Sequence, residues 1–309
     1  MGDPVKPAAS RDITLPTPCS AAVIINPTAG PPRSRLSPAA ATRLLERFSF
    51  QVELHVTTRP GEATELAARA SEHHPVVVAV GGDGTVHEVA KGLLGSTATL
   101  AILPCGSGND FAYALAIDSP IAGATAAGRR QIQRIDAAYL EDNPFFNTAG
   151  FYLSGLVSGR AKRFWRGMGQ FRYTLASLWS LITYRPQIGT WRFENGQEVR
   201  EGPWLLVEIG NGPRAGGGFL LTPDANPADG LLDFCLIRPV SPLTLAKIFP
   251  AAARGERFEH SAVHRLRDKG ATLTVPSRVS IHLDGEPTTL PEGEYCVSLR
   301  PWQLGVLAP

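Results

Sequence analysis

Residues 76–88 read VVVAVGGDGTVHE and residues 100–113 read LAILPCGSGNDFAY. Each is an apolar, β-rich run that breaks into glycines around an aspartate and then takes up helical spacing. Short continuous apolar runs followed by helices read as strands of a parallel sheet, buried on both faces. Glycines at the strand end remove side chains, so backbone N–H groups can approach an anion closely. The dipole of the helix that follows favours phosphate. Asp83 is the odd member, because a carboxylate beside phosphate is repulsive unless a cation lies between them. That points to a Mg²⁺-linked aspartate. In the second loop Ser107 offers a hydroxyl, and Asp110 either caps its helix or joins the metal. Adjacent strand ends of an open parallel sheet form one crevice, so the two loops read as one site.

Working outward, strands are expected at 21–27, 52–58, 76–80 and 100–103, alternating with helices at 38–48, 61–72, 85–94 and 110–116. This alternation predicts an α/β domain whose parallel sheet carries helices on both faces. After about residue 136 strand-like runs follow one another, at 131–140, 145–152, 187–193, 204–210, 231–238, 271–275, 279–283 and 295–299. Turn signals stand at 195–196, 229–230 and 284–285. These predict a second, mostly antiparallel domain, a β-sandwich, interrupted by helices at 156–166, 171–184 and 242–254. The expected division is a flexible lead-in at 1–20, a nucleotide-binding domain at 21–136 joined by the C-terminal segment 297–309, and a β-rich domain at 137–296.

Composition excludes several classes. A net charge of +2 over 309 residues argues against nucleic-acid binding by bulk charge. The four cysteines form no CxxC pair, so neither a zinc site nor a disulfide framework is indicated, which fits a cytoplasmic location. The N-terminus has no signal-peptide pattern, and the longest apolar run, 174–184, is too short to span a bilayer. No GxxxxGK[ST] and no GxGxxG occurs, which argues against P-loop NTPases and against hydride transfer to NAD. Residues 160–172 (RAKRFWRGMGQFR) hold five basic residues interleaved with aromatics and run on into the apolar stretch to 184. An ordinary packed helix or a peripheral contact with an anionic membrane surface explains this equally well.

Further signals lie in the second half: NGPRAGGG at 211–218, PDANPADGLLD at 223–233 and IHLDGEP at 281–287. An isolated Asp-Gly is most often only a hairpin turn. Together with NPTAG at 26–30, GGDGTVHEV at 81–89 and PCGSGNDFA at 104–112, however, the chain resembles the diacylglycerol kinase catalytic family. That family includes bacterial lipid kinases and is similar to sphingosine and ceramide kinases, and more distantly to NAD kinases and phosphofructokinases. The resemblance spans residues 21–309. It implies a two-domain kinase with ATP in the interdomain cleft and a diacylglycerol-like or sphingoid lipid as substrate; a homodimer is compatible with it.

By the same resemblance Asp83, Asp110 and Asp229 match the acids of a Mg²⁺–water network, and the carbonyls of Asn226 and Leu231 a second, more peripheral metal site. Gly81, Gly82, Asp83, Gly84, Thr85, Val86 and His87, with Asn26, Thr57, Gly106, Ser107 and Asn109, match nucleotide contacts. The catalytic base position falls on the acids Asp284 and Glu286, either of which can take the proton. Ser107 replaces the commoner Thr, His87 stands where Asn is common, and Ala29 where Ser is frequent. Two other functions stay open: a kinase for a soluble substrate of the NAD-kinase or phosphofructokinase type, and a non-catalytic lipid- or nucleotide-binding module.

Overall fold

In the computed structural model the described residues are 15–161, 179–180, 183–194, 199–241, 244–245, 250–252, 254, 256 and 259–309. The first part of the chain runs β1 (Cys19–Ile25), α1 (Pro38–Glu46), β2 (Phe50–Val56), α2 (Glu62–Ala70), β3 (Val76–Gly81), α3 (Asp83–Leu93), β4 (Thr99–Pro104), α4 (Asp110–Ala114) and α5 (Pro120–Arg129). The strands pair in parallel in the order β2-β1-β3-β4. Alternation along each strand sends side chains to two separate cores. Ala22, Ile24, Val77 and Ala79 pack with Ala63, Ala67, Val86 and Val89 of α2 and α3. Ala21, Val23, Val76, Val78 and Val80 pack with Ala41, Leu45, Ala124 and Ala127 of α1 and α5. A strand buried on both faces has no polar side to show, which is why VVVAV carries no alternation in its sequence.

Helix α5 was not foreseen, because its Ala- and Gly-rich sequence has little apolar periodicity. Its start follows ordinary capping rules: Ser119 accepts a hydrogen bond from Ala122 N at 3.2 Å, and Pro120 opens the first turn.

The second part runs β5 (Ile132–Leu140), β6 (Asn143–Phe145), β7 (Thr148–Tyr152), α6 (Leu153–Ala161), β8 (Gln187–Phe193), β9 (Val199–Trp204), β10 (Leu206–Gly210), β11 (Leu232–Ile237), β12 (Val263–Asp268), β13 (Gly270–Val275), β14 (Val279–Leu283), β15 (Glu286–Leu290) and β16 (Gly293–Leu307). Six of these form an antiparallel sheet in the order β12-β11-β10-β7-β14-β15. Facing it are β8, β9 and β13, which extend the first sheet through β16. Aromatic side chains fill the space between the two layers. Phe151 meets Trp191 edge to face at 5.1 Å, and Phe193 meets Phe234 the same way, also at 5.1 Å. The indole N–H of the buried Trp204 is satisfied by Gly189 O at 2.9 Å. This is the α/β domain plus β-sandwich that the sequence predicts.

The two layers meet at strands that change partners. β16 pairs with β13 along 293–298, is irregular between Arg300 and Leu304, and then runs parallel to β4 at Gly305 and Val306. The expected single strands at 145–152 and 204–210 are each broken, at 146–147 and at Leu205, where the chain crosses from the first sheet to the second. The expected helix at 171–184, the basic–aromatic stretch from 162 onward and the turn at 195–196 lie wholly or largely outside the described residues, as does much of the helix at 242–254. Among the described residues no helix is long and apolar enough to cross a membrane.

Candidate active site in the interdomain cleft

The order β2-β1-β3-β4 reverses direction between β1 and β3, so a crevice opens at the carboxyl ends of those strands. Asn26, Thr57, Gly81 and the loop after β4 all stand at this edge. Asn26 N donates to Val80 O, and its side chain reaches Thr85 Oγ1 at 3.4 Å. The Thr57 hydroxyl is turned back onto Ile25 O at 3.3 Å. Thr85 and Val86 are buried, so Val86 offers a ligand only its backbone. Cys105 N donates to Gly81 O at 2.7 Å, tying the two loops together. Their backbones touch: a Cβ on Gly106 would stand 2.5 Å from Gly82 Cα. The N–H groups of the first turn of α3 have no acceptor within the helix. Beside them the second loop folds on itself, with Asn109 Oδ1 accepting from Gly106 N at 2.8 Å.

Two carboxylates flank Gly108. Asp83 Oδ2 accepts from Asn109 N at 2.8 Å and Oδ1 from Phe111 N at 3.3 Å. Asp110 Oδ2 accepts from Gly217 N at 2.7 Å, whereas its Oδ1 is buried without a partner. Burial, and then the charge of Asp83, lift the Asp110 carboxyl to about 7. Burial also raises Asp83, against the backbone N–H groups that hold it and with the charge of Asp284 adding to the rise. Two acids that hold their protons tightly side by side form a site short of positive charge.

The second domain supplies the facing wall. Asp284 and Gly285 form the two-residue turn between β14 and β15, with φ of 48° and 82°, as a type I′ hairpin requires. Asp284 Oδ1 accepts from Asn147 N and Thr148 N, both at 2.9 Å. Its Oδ2 accepts from Phe146 N at 2.8 Å and from His87 Nδ1 at 2.7 Å. Burial alone would raise this carboxyl, but His87 and the backbone donors outweigh it and hold Asp284 below the usual range. Glu286 opens β15 and leans over α3, with Oε1 3.8 Å from where a Cβ on Gly84 would be. His87, Lys91 and Glu286 line a cavity of about 320 Å³ together with Ile281, Leu283 and Leu290.

Three features were missed in the sequence. His282, given no role there, supports the Asp284–Gly285 turn by accepting from Gly285 N at 3.3 Å. Its Nε2 lies 3.0 Å from Ser154 Oγ, which donates to the fully buried Glu208 at 2.7 Å. Ser158 holds the same turn through Gly285 O at 2.7 Å. Arg214, within the glycine-rich 211–218 loop, stacks 4.0 Å over Tyr113 and lowers the Asp110 carboxyl from across the cleft. Apart from the His282–Gly285 contact within the turn, the partners of these residues are 50 or more residues away, so nothing local in the sequence marks them.

Asp229 lies in a different group. Its carboxylate pairs with Arg267, which also reaches Asp233 at 3.1 Å, and its own loop is held by Asp136 through Gly230 N at 2.8 Å. Asn226 O accepts from Asp229 N, and Leu231 N donates to Asp229 Oδ1 at 3.1 Å. Among the described residues no three His, Cys, Asp or Glu side chains are grouped to hold a metal directly, and the Asp229 carboxylate stands against Arg267.

An α/β domain with two glycine-rich loops at its switch point, facing a β-sandwich that brings its own acids, defines a class of two-domain proteins. Comparison with known proteins agrees. Residues 20–140 match the model of the diacylglycerol kinase catalytic domain, and residues 149–308 that of the YegS C-terminal NAD kinase beta sandwich-like domain. The diacylglycerol kinase of Bacillus subtilis (strain 168) is 27% identical over 281 residues, covering 89% of this chain and 92% of its own. That of Mycobacterium tuberculosis (strain H37Rv) is 30% identical over 251 residues, covering 79% and 80%. A crystal structure of a diacylglycerol kinase from Bacillus anthracis str. Sterne superposes with a TM-score of 0.70 at 21% identity, over 94% of this chain and 97% of that one, and so matches in fold. The chain belongs to the diacylglycerol kinase catalytic-domain family, with the YegS-type C-terminal domain.

Proposed function

We propose that the chain is an ATP-dependent lipid kinase, transferring the γ-phosphoryl group of ATP to a hydroxyl of a diacylglycerol-like or sphingoid lipid. The observation that carries this reading is the meeting, in one cleft, of two charge-starved acids on a backbone anion cradle with a polar-tipped, apolar-walled cavity. Phosphoryl transfer needs positioning and charge neutralisation more than covalent help from the protein. The first turn of α3 offers backbone N–H groups to phosphate oxygens, with Thr85 and Asn26 stiffening the loop at Gly81–Gly82; Gly106, whose own N–H is taken by Asn109 Oδ1, lets the second loop lie against it. Leu283, Ile281 and Leu290 suit the apolar part of a lipid, whose hydroxyl end would meet His87 and Glu286.

The acid pair fits Mg²⁺. Asp110 Oδ1 is buried and unpaired, both carboxyls hold protons tightly, and a Cβ on Gly108 would stand 2.8 Å from Asp83 Oδ2 and 3.7 Å from Asp110 Oδ2. Mg²⁺ commonly binds through one or two carboxylates, with waters and substrate phosphates as its other ligands. When bound, it neutralises the phosphate oxygens. Asp229, the third acid of the expected network, is paired with Arg267, and the carbonyl of Asn226 in the expected peripheral site accepts from Asp229 N. Membrane docking through residues 160–184 rests on their basic and aromatic sequence, with Trp179 exposed beneath the Arg160 guanidinium at 4.5 Å.

The test is incubation with radiolabelled ATP and Mg²⁺ against diacylglycerol, sphingosine, ceramide and phosphatidylglycerol in mixed micelles. Label in a lipid extract, lost on chelation, is the expected result. Label in NAD or a sugar phosphate and in no lipid would favour the soluble-substrate alternative. Gly106→Ala is expected to force the two loops apart and raise the KM for ATP about tenfold, with a folding cost of about 1–3 kcal/mol. An unchanged KM would remove the cradle from nucleotide binding.

A further inference from the structure

We infer that His87, oriented by Asp284, is the group that takes the proton from the lipid hydroxyl. The inference rests on the lipid-kinase reading and sharpens it, because the DGE acids were the expected bases. Asp284 is poorly placed for that task. Both of its oxygens are filled by four donors, and its side chain is only 6% exposed. A carboxylate so occupied must give up a hydrogen bond before it can accept a substrate proton. What Asp284 does instead is fix the imidazole. A carboxylate only accepts, so His87 Nδ1 must carry the hydrogen of the 2.7 Å bond, which leaves Nε2 as a bare acceptor in the neutral ring. Phe146 packs edge-on against the ring at 5.8 Å and sets its second direction. Among the described residues Nε2 has no hydrogen-bond partner, and His87 lines the cavity assigned to the lipid.

The spacing suits the chemistry. His87 lies four residues beyond Asp83 on α3, a rise of about 6 Å. An attacking oxygen stands about 3–3.5 Å from phosphorus and within about 2.6–3.2 Å of its base, so a base about 6 Å from phosphate at the helix start is in range. Nε2 accepts the hydroxyl proton as the lipid oxygen bonds to the γ-phosphorus. The bond from that phosphorus to the β,γ-bridging oxygen breaks, and its electron pair leaves with ADP. The imidazolium is then paired with Asp284 and passes its proton to water at the cavity mouth. Where relatives carry Asn at this position, an amide cannot do this, so the assignment belongs to chains with His. Glu286, leaning over Gly84, is the competing acceptor.

The test uses the full chain with ATP, Mg²⁺ and whichever lipid of the panel the wild type labels. His87→Asn keeps a donor to Asp284 but has no basic nitrogen. It is expected to lower kcat about 10²–10³-fold with little change in the KM for ATP and in the melting temperature. His87→Ala is expected to lose activity that added imidazole restores. In ¹⁵N spectra, histidine signals missing from His87→Asn should report the Nδ1–H tautomer in the wild type. Full kcat in His87→Asn, above all with loss in Glu286→Gln, overturns the assignment. So does an Nε2–H tautomer, or a His87→Ala defect that imidazole leaves unchanged. If the wild type labels no lipid, the lipid-kinase reading itself falls, and that outcome is visible before any variant is made.

Discussion

Asp110→Asn is expected to make the free protein more stable at pH 8 while stopping lipid phosphorylation. The carboxyl rises from 3.8 to about 7 on folding, with burial as the largest cause and the Asp83 charge next. A folded-state pKa above the unfolded one means that the native state keeps a proton the unfolded chain releases. Stability from this group is therefore fully present below about pH 4 and is lost as pH rises through about 7. At about 1.4 kcal/mol per pH unit the loss is on the order of 4 kcal/mol, shared with Asp83 because the two titrate as a pair. Asparagine keeps the acceptor for Gly217 N but leaves a buried N–H₂ in place of the unpaired oxygen, which costs about 1–3 kcal/mol. The net gain is therefore a small number of kcal/mol at pH 8, shrinking to nothing or reversing by pH 4. Urea titrations of both proteins at the two pH values measure it. Turnover should fall by about 10³-fold or more, the effect expected when a site loses its cation ligand. Equal stability differences at pH 4 and pH 8 would show that the acid pair is not strained.

The cradle of this site was legible in the sequence because its parts are local. Gly81, Gly82 and Gly106 follow their own strands directly, and Asp83 and Asp110 stand at the first turns of their own helices. A reader needs only the rule that parallel strands end at one edge. What the sequence could not show was where distant segments meet. Asp284, with Glu286 on the same Asp-Gly-Glu turn, stood at the catalytic base position by family resemblance. In three dimensions the corner at 146–148 closes over that turn and fills both of its oxygens. His87 looked like a departure from the expected Asn, and only its contact with a residue 197 positions away gives it a function. Asp229 is a third metal acid by resemblance, and its pairing with Arg267 on β12, 38 positions away, was not visible in the sequence. The breaks at Leu205 and 146–147 were hidden for a related reason. Both runs stay buried across the break, since both sheets cover them, and periodicity records burial and not partner.

Asp284→Ala is expected to cost more in folding than any other single change at this site. It strips the acceptor from Phe146 N, Asn147 N, Thr148 N and His87 Nδ1 at once. Each orphaned buried donor costs about 1–3 kcal/mol, so a loss on the order of 4 kcal/mol or more follows. Alanine also tolerates the φ of 48° less well than aspartate. The bonds it removes are not interchangeable. Residues 146–148 are where the chain passes from β6 in the first sheet to β7 in the second, and His87 belongs to α3 of the nucleotide domain. Asp284 thus pins three elements to the turn that carries Glu286, and its removal is expected to abolish turnover as well. Asp284→Asn retains one acceptor oxygen and should lose about half as much stability. Glu286→Gln, exposed at the cleft mouth, should melt like the wild type. The pH dependence runs opposite to that of Asp110. The Asp284 carboxyl is held below 3.8 in the folded state, so its contribution is present at neutral pH and is lost only as pH falls through that lowered value. Wild type and Asp284→Ala should therefore converge in stability at strongly acid pH and separate above about pH 4. A variant within about 1 kcal/mol of wild type at pH 7 would mean that the corner at 146–148 is held by the sheets alone, and Asp284 would then return to being a free acid at the mouth of the cleft.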